Sequence, residues 1–197
     1  MLTCLTVQHQ TVLNTILENG IYIASLDRTI LLLQELYKKM MYYLNYINCP
    51  IFLGMVGRKT DMFGAAAFDT DEHYKTIMHD GYCVMQFNIP DGQYNLQNYY
   101  HWDEVIAHFD GNKYDCKLPN YVFNGTIEDY IRYALIEEPP NRHDVTQVTT
   151  QVLLKEWLVD YTTDADIMNI LCQEQAEDGG CNILHTIEDY RKQKEKS

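Results

Sequence analysis

Basic residues are scarce in this chain, which has 15 Lys and Arg against 28 Asp and Glu and a formal net charge of −13. Binding to a nucleic-acid backbone depends on Lys and Arg that release its counterions, so direct binding to DNA or RNA is not expected. An acidic surface suits a basic partner, including a protein that itself binds nucleic acid. The simpler interpretation is that the charge only keeps the protein soluble.

Long apolar runs and a secretion signal are also missing. No apolar stretch reaches the roughly 20 residues that cross a bilayer as a helix. The start of the chain lacks a basic segment followed by a long apolar one, so no signal peptide is expected. We therefore expect a cytoplasmic protein without membrane association. Because hydrophobic residues make up 46% of the 197 positions, the chain should fold around a core.

Familiar catalytic signatures do not occur. The sequence has no Gly-x-Ser-x-Gly elbow, no Gly-x-Gly-x-x-Gly loop and no His-Glu-x-x-His motif. The turn at Gly57-Arg-Lys59 lacks the spacing of a P-loop, and His73 and His79 lack the helical spacing of paired metal ligands. No catalytic residue is assigned, and no motif favours an enzyme.

The six cysteines are dispersed through the chain. Without a secretion signal, free thiols are expected rather than disulfides. Cys172, Cys181 and His185 supply only three ligands and contain no Cys-x-x-Cys pair, so a zinc site is not expected. We predict no metal site and no cofactor.

A strand predicted over residues 82–89 is central to the chain. Its alternation is typical of a half-buried strand, with Gln86 and Asn88 on the polar face and four residues on the apolar face: Cys83, Met85, Phe87 and Ile89. Pro90 and Gly92 end the strand. A polar, aromatic loop from Tyr94 to His101 should follow, and then a short helix marked by Trp102, Val105, Ile106 and Phe109.

The densest mixed cluster at this junction is the candidate binding site, and it consists of Tyr99, Tyr100, His101, Trp102 and Asp103. Sites are often built on loops at the end of a sheet. His101 and Asp103 could form an acid–base pair, because His titrates near neutrality. In the alternative interpretation, the Tyr and His rings cover the sheet end and Asp103 lies in the first turn of a helix.

Strand and helix patterns are interspersed without a strict βαβ rhythm. They predict one α+β domain over residues 1–190, with a mixed or largely antiparallel sheet flanked by helices, and a basic flexible tail over 191–197. The longest helix is predicted over 31–47. The pentapeptide Thr-Ile-Glu-Asp-Tyr occurs at 126–130 and again at 186–190 with unrelated flanks, which indicates one capping solution used twice rather than an internal repeat.

Several short stretches occur in an order that carries a resemblance. They are Leu5-Thr-Val-Gln8, Glu18-Asn-Gly-Ile-Tyr22, Tyr37 with Met40 or Met41 before Pro50-Ile-Phe52, Phe87-Asn-Ile-Pro-Asp91, Trp102, Thr126-Ile-Glu-Asp-Tyr130 and Gln151-Val-Leu-Leu-Lys-Glu-Trp157. From Leu5 to about Tyr161 the chain resembles a bacterial and phage family, domain of unknown function 3841. The resemblance implies a shared fold and a cytoplasmic setting, and it implies no established chemistry. Departures at Ile23, Leu53 and Leu96 indicate a divergent member.

Two functional hypotheses from different classes follow. The first is an interaction or inhibitor module of bacterial or phage origin that docks on a protein partner, which could be a basic protein. The acidic charge of the chain and its 16 tyrosines favour this hypothesis. If the acids line one face, it could mimic DNA. The alternative is a nucleotide- or NAD-using enzyme with a distant ADP-ribosyltransferase-like fold, suggested by the opening strand and the helix that ends at Gly20-Ile-Tyr22.

Overall fold

Strands and helices alternate irregularly along the chain. The computed structural model describes residues 1–28, 31–60, 81–99, 101, 105, 126–137, 146–167, 170, 181–183 and 185–196. The strands are β1 (Leu2–His9), β2 (Ile21–Tyr22), β3 (Ile51–Met55), β4 (Arg58–Thr60), β5 (Tyr82–Ile89), β6 (Asn95–Asn98), β7 (Thr146–Thr150), β8 (Leu153–Leu154), β9 (Leu158–Thr162) and β10 (Cys181–Ile183). The helices are α1 (Gln10–Asn19), α2 (Leu31–Leu44), α3 (Ile127–Arg132) and α4 (Ile187–Lys194). A π-helical segment, Tyr133–Glu137, continues α3.

A six-stranded sheet in the order β6-β7-β3-β1-β5-β9 forms the centre of the fold. Every neighbouring pair in it is antiparallel, and the longest pairing runs from Leu2 opposite Ile89 to His9 opposite Tyr82. Two ribbons, β2 with β8 and β4 with β10, lie beside it. The predicted α+β domain with a largely antiparallel sheet is therefore confirmed. Within the described ranges, no helix is long and apolar enough to cross a membrane.

Helices cover both faces of the sheet. On one face, α1 packs through Val12, Leu13 and Ile16 against the alternating apolar residues of β1, β3 and β5. On the other face, α2 and α3 share a cluster near β3, and α4 packs near β1 and β5 through Ile187 and Tyr190. Burial of apolar surface on both sides of the sheet is the main stabilising contribution to such a fold.

Strand β5 has the bounds predicted from the sequence, and its apolar residues lie in the core beneath α1. The expectation that it is only half-buried was wrong. Val84 and Gln86 on its second face are also buried, because α4 covers them. The Oε1 atom of Gln86 accepts a hydrogen bond of 3.0 Å from the backbone N–H of Ile187. This bond gives a partner both to the buried amide oxygen of Gln86 and to an N–H group in the first turn of α4.

The two copies of Thr-Ile-Glu-Asp-Tyr both begin a helix with a capping box, as predicted. In α3, Asp129 N–H donates to Thr126 Oγ1 at 3.2 Å, and Thr126 N–H donates to the Asp129 carboxylate at 3.0 Å. Thr186 and Asp189 make the same pair of bonds in α4. The hydroxyl of the capping threonine also lowers the pKa of each aspartate by donating to it. The tyrosine that ends each copy is fully buried.

Removing either cap should therefore have a similar effect. We expect Thr126→Ala and Thr186→Ala each to lower the free energy of unfolding by about 1 kcal/mol, because a helix N-terminus loses its side-chain acceptor. Urea unfolding of the two variants measures this. Thr126→Ser and Thr186→Ser keep the hydroxyl and serve as controls. An alanine variant as stable as its serine counterpart would contradict the capping role.

Two boundaries differ from those predicted. Helix α2 ends at Leu44 rather than at 47, because Asn45 adopts the left-handed conformation with φ 56° and Tyr46 N–H bonds back to Met41 O. The predicted start of the flexible tail, residue 191, lies inside α4, which ends at Lys194. There the Arg191 guanidinium is paired with the Asp160 carboxylate on β9.

Candidate functional site

The structure describes two of the five residues predicted as a binding site. Tyr99 and His101 lie in a helical segment after β6, whereas Tyr100, Trp102 and Asp103 fall outside the described residues. The half-buried His101 ring packs 5.4 Å from the ring of Tyr133 and 6.2 Å from that of Tyr130. This contact fits the interpretation in which the rings cover the sheet end. An acid–base pair of His101 and Asp103 stays a prediction.

Buried polar side chains lie on β6 and β7 beside these rings. The loop predicted from residue 94 was wrong in its first part, because Asn95–Asn98 pairs with β7 as an edge strand. On one face of this pair, Gln97 Nε2 donates to Thr149 Oγ1 at 2.8 Å, and Asn95 Nδ2 donates to the hydroxyl of Tyr46. Gln97 and Gln147 face each other across the two strands, and both are fully buried.

A second candidate surface is carried by two segments that the Ala24–Cys49 bridge joins, one that follows α1 and one that follows α2. Four large apolar side chains are exposed in these segments and on the last turn of α2, and we call them the apolar end: Ile21 (36% exposed), Ile23 (48%), Tyr42 (80%) and Ile47 (83%). The sequence predicted Ile47 as the last residue of the longest helix. That prediction was wrong, because the helix stops three residues earlier and turns Ile47 outward.

Backbone pairings hold the apolar end together. Ala24 bridges to Cys49, so the segments that carry Ile23 and Ile47 run side by side. Ile47 N–H donates to Gln151 Oε1 at 3.1 Å. Ile21 pairs with Leu154 in the ribbon of β2 and β8. These contacts fix the segments that present the exposed side chains.

Acidic residues around the apolar end differ from most other described acids. Ion pairs join basic groups to the carboxylates of Glu35, Asp91, Glu128, Asp160, Asp164, Asp166 and Glu188. In the described part of the chain, the exposed carboxylates of Glu18, Asp27 and Glu156 have no such partner. The nearby Lys155 donates its Nζ to the Leu17 carbonyl at the end of α1. Glu18 and Asp27 lie within four residues of Ile21 or Ile23 along the chain, and Glu156 follows closely after Leu154, the strand partner of Ile21.

Metal ligands do not cluster in the described ranges, where no group of three His, Cys, Asp or Glu side chains could hold an ion. Cys4, Cys49 and Cys83 are buried and are not joined in disulfides, which confirms the prediction for these three. Cys172 lies outside the described residues. The predicted absence of a zinc site at Cys172, Cys181 and His185 is therefore not tested.

The comparisons with known proteins identify no relative of this chain. No family model, no curated protein and no solved structure matches this chain. The resemblance to domain of unknown function 3841 stays a prediction. The apolar end and the polar side chains on β6 and β7 are therefore the features that bear on function.

Sequence patterns did not indicate the apolar end. Its residues come from three separate segments, and isolated isoleucines and tyrosines are common both in cores and on surfaces. Only the Asn45-Tyr46 step before Asn48-Cys-Pro50 could have suggested that the helix stops before Ile47, because Asn is the second choice after Gly for a left-handed helix end. The glutamines on β6 and β7 were likewise missed, since Gln is no indicator of a buried strand.

Proposed function

We propose that this protein is a docking module that binds a basic partner protein through the apolar end. The observation that carries the proposal is the exposure of Tyr42 and Ile47, at 80% and 83%, together with that of Ile21 and Ile23 in the segment bridged to theirs. Clustered exposed apolar residues with a polar rim are typical of protein–protein contact sites. A cytoplasmic setting and a bacterial or phage origin belong to the same proposal and are supported by the family resemblance.

Charge supports a basic partner over a neutral one. Glu18, Asp27 and Glu156 are close in sequence to Ile21, to Ile23 or to the strand partner of Ile21, and they have no ion pair in the described part of the chain. A partner that presents Lys or Arg around an apolar centre would complement both parts of this surface. Such complementarity steers encounter and suppresses wrong partners more than it adds affinity.

Rigidity of the apolar end also supports docking. The bridge of Ala24 with Cys49, the Ile47–Gln151 bond and the β2–β8 ribbon hold its backbone segments in place before any partner arrives. Preorganised surfaces lose less conformational entropy on binding, so a small apolar cluster can contribute more to affinity.

The proposal is tested with a double variant, Ile23→Ser with Ile47→Ser. Tagged wild-type protein is used to recover partners from a bacterial lysate, and the partner is then purified and its Kd measured against each variant. We expect the double variant to bind at least about 30-fold more weakly, since losing a hot spot removes about 2 kcal/mol or more. Serine at exposed positions should leave stability nearly unchanged.

Val159→Ser is the matched control. Val159 is apolar and 53% exposed, but it lies on the edge strand β9, which carries none of the residues of the apolar end. A partner whose affinity falls equally for the control and the double variant, or that keeps full affinity for the double variant, would contradict the proposal. Replacing Glu18, Asp27 and Glu156 by their amides should slow association by about tenfold at low salt, because the acids steer a basic partner.

The nucleotide- or NAD-using enzyme is the alternative hypothesis, and no described set of residues favours it. Thermal stabilisation of the wild-type protein by NAD or a nucleotide at millimolar concentration would support it, through the linkage between binding and stability. The same measurement without any shift, together with a partner lost by the double variant, would leave docking as the function.

A further inference from the structure

Strand β9 is an outer strand of the six-stranded sheet. It pairs with β5 on one side, and no strand in the described part of the chain pairs with its other side. An open strand edge presents backbone N–H and C=O groups with which another chain can pair, so folded proteins protect such edges. Val159 and Tyr161 on β9 belong to residue types that favour strands, and they are 53% and 43% exposed. This edge is therefore one that needs protection.

Side chains already occupy the outward backbone groups of Tyr161. Its N–H donates to Asp160 Oδ1 at 2.8 Å, and its C=O accepts from Arg191 Nη2 at 2.9 Å. In an antiparallel pair, the N–H and C=O of one residue point to the same side of the strand, either toward the partner strand or away from it. Because both groups of Tyr161 bond to side chains, they face away from β5, on the side where an added strand would bind.

The two side chains that cover Tyr161 are bonded to each other. Arg191 donates to both carboxylate oxygens of Asp160, through Nη1 to Oδ2 and through Nη2 to Oδ1 at 3.1 Å. A guanidinium and a carboxylate joined by two parallel bonds have a defined relative geometry. Because Nη2 also donates to the Tyr161 carbonyl, one planar group bonds both to the carboxylate and to the strand backbone.

Helix α4 positions Arg191 at the edge of β9. Ile187 and Tyr190 of this helix are fully buried, and the Ile187 N–H bonds to Gln86 on β5. The core therefore anchors α4, and Arg191 follows directly after one of the anchoring residues. Exposed ion pairs add little to stability, so stability alone does not account for the pair of Arg191 with Asp160.

We propose that Arg191 and Asp160 form an edge cap, which prevents a second copy of this chain from adding its own β9 to the sheet. A second copy fits this edge because the strand is then paired with itself, as in a two-fold symmetric dimer. In an antiparallel pair centred on Tyr161, the two copies of this residue would exchange both backbone hydrogen bonds. The edge cap occupies those same N–H and C=O groups within one molecule.

The experiment compares two double variants that each remove one ion pair and leave the net charge unchanged. The edge variant, Asp160→Ala with Arg191→Ala, opens the edge of β9. The control, Glu188→Ala with Lys192→Ala, removes an ion pair within α4. Sedimentation velocity over a range of protein concentrations measures the association of each. We expect the edge variant to dimerise with a Kd at least about tenfold lower than that of the wild type and of the control.

A third substitution tests whether the dimer forms through β9. Tyr161→Pro, added to the edge variant, removes the outward N–H group. Proline is tolerated on an edge strand where this group faces solvent, so the fold should be kept. We expect the added proline to return the Kd to the wild-type value.

Three results would overturn the proposal: an edge variant that associates no more strongly than the wild type, a control that associates as strongly as the edge variant, or a gain in association that survives Tyr161→Pro. Amide hydrogen exchange tests the edge cap in the wild-type protein. The Tyr161 amide should exchange at least about tenfold more slowly than in an unstructured peptide. Exchange at the unstructured rate would overturn the proposal even if the edge variant folds poorly.

Discussion

Replacement of Phe87 by alanine is expected to lower the free energy of unfolding by about 3–5 kcal/mol. Phe87 is fully buried on β5, between β1 and β9, and its ring lies in the core beneath α1. The variant loses the burial of an aromatic ring and leaves a cavity that neighbouring strands cannot close. Since domains are stable by only about 5–15 kcal/mol, the loss is a large fraction of the total.

Urea unfolding followed by circular dichroism measures this loss. Val159→Ala on β9 is the control, because its side chain is half exposed on the same sheet and its replacement should change stability by no more than about 0.5 kcal/mol. Phe87→Leu should fall between the two. A cost below about 1 kcal/mol for Phe87→Ala would mean that β5 is not the centre of the core.

Local pattern was sufficient to predict β5 because its information is contained within the strand. Alternation of Cys83, Met85 and Phe87 gave both the bounds and one buried face. Burial of the second face depends on α4, which follows much later in the chain and contributes only Ile187 and Tyr190 as buried side chains. Nothing within β5 signals that partner, so a half-buried strand was the natural expectation.

Strand β6, in contrast, could not be predicted from its own residues. Asn95–Asn98 contains no β-branched or aromatic residue, and Asn is depleted in strands. The segment is extended because β7 supplies its hydrogen bonds, with Leu96 opposite Val148 and Gln97 opposite Gln147. Tertiary pairing overrides propensity here. The pairing of the two buried glutamines is therefore visible only once the register is known.

The apolar end was missed because helical periodicity does not report where a helix stops. The apolar spacing of α2 continues to Ile47, but a single left-handed residue, Asn45, ends the helix first. Ile47 then becomes a surface residue, in a segment that the Ala24–Cys49 bridge joins to the segment of Ile23. Likewise, the net charge of −13 does not tell which acids form ion pairs, and only the fold separates the paired from the unpaired carboxylates among the described residues.

The capping pentapeptides were predicted correctly, since a capping box is a local structure set by a threonine and an acid three residues apart. The fold uses them on the same face of the sheet, α3 near β3 and α4 near β1 and β5. In each helix the following tyrosine reaches the core, so one short sequence both starts a helix and anchors it.

Raising the pH from 7 to 10 is expected to lower the free energy of unfolding by about 3 kcal/mol through two buried thiols. Burial raises the pKa of Cys4 from 9.0 to about 12 and that of Cys83 from 9.0 to about 11. Above pH 9 both thiols ionise in the unfolded chain and stay neutral in the folded protein. The unfolded state then binds fewer protons, so stability falls as pH rises. The stability that the two neutral thiols contribute is complete below the pKa of 9.0 that a thiol has in the unfolded chain. It is lost as the pH rises through the raised pKa values of the folded protein.

Urea unfolding under reducing conditions at pH 7, 8, 9 and 10 measures this loss. Cys4→Ala and Cys83→Ala should each start less stable at pH 7, because each leaves a small cavity, and should each lose about half as much stability up to pH 10. Met85→Leu is the control, since Met85 shares the buried face of Cys83 and does not titrate. It should keep the full pH dependence. A variant that combines Cys4→Ala with Cys83→Ala should lose little stability between pH 7 and pH 10. If it loses as much as the wild type, groups other than these thiols govern the alkaline range. Tyr37, whose pKa is also raised by burial, would then be the first residue to replace.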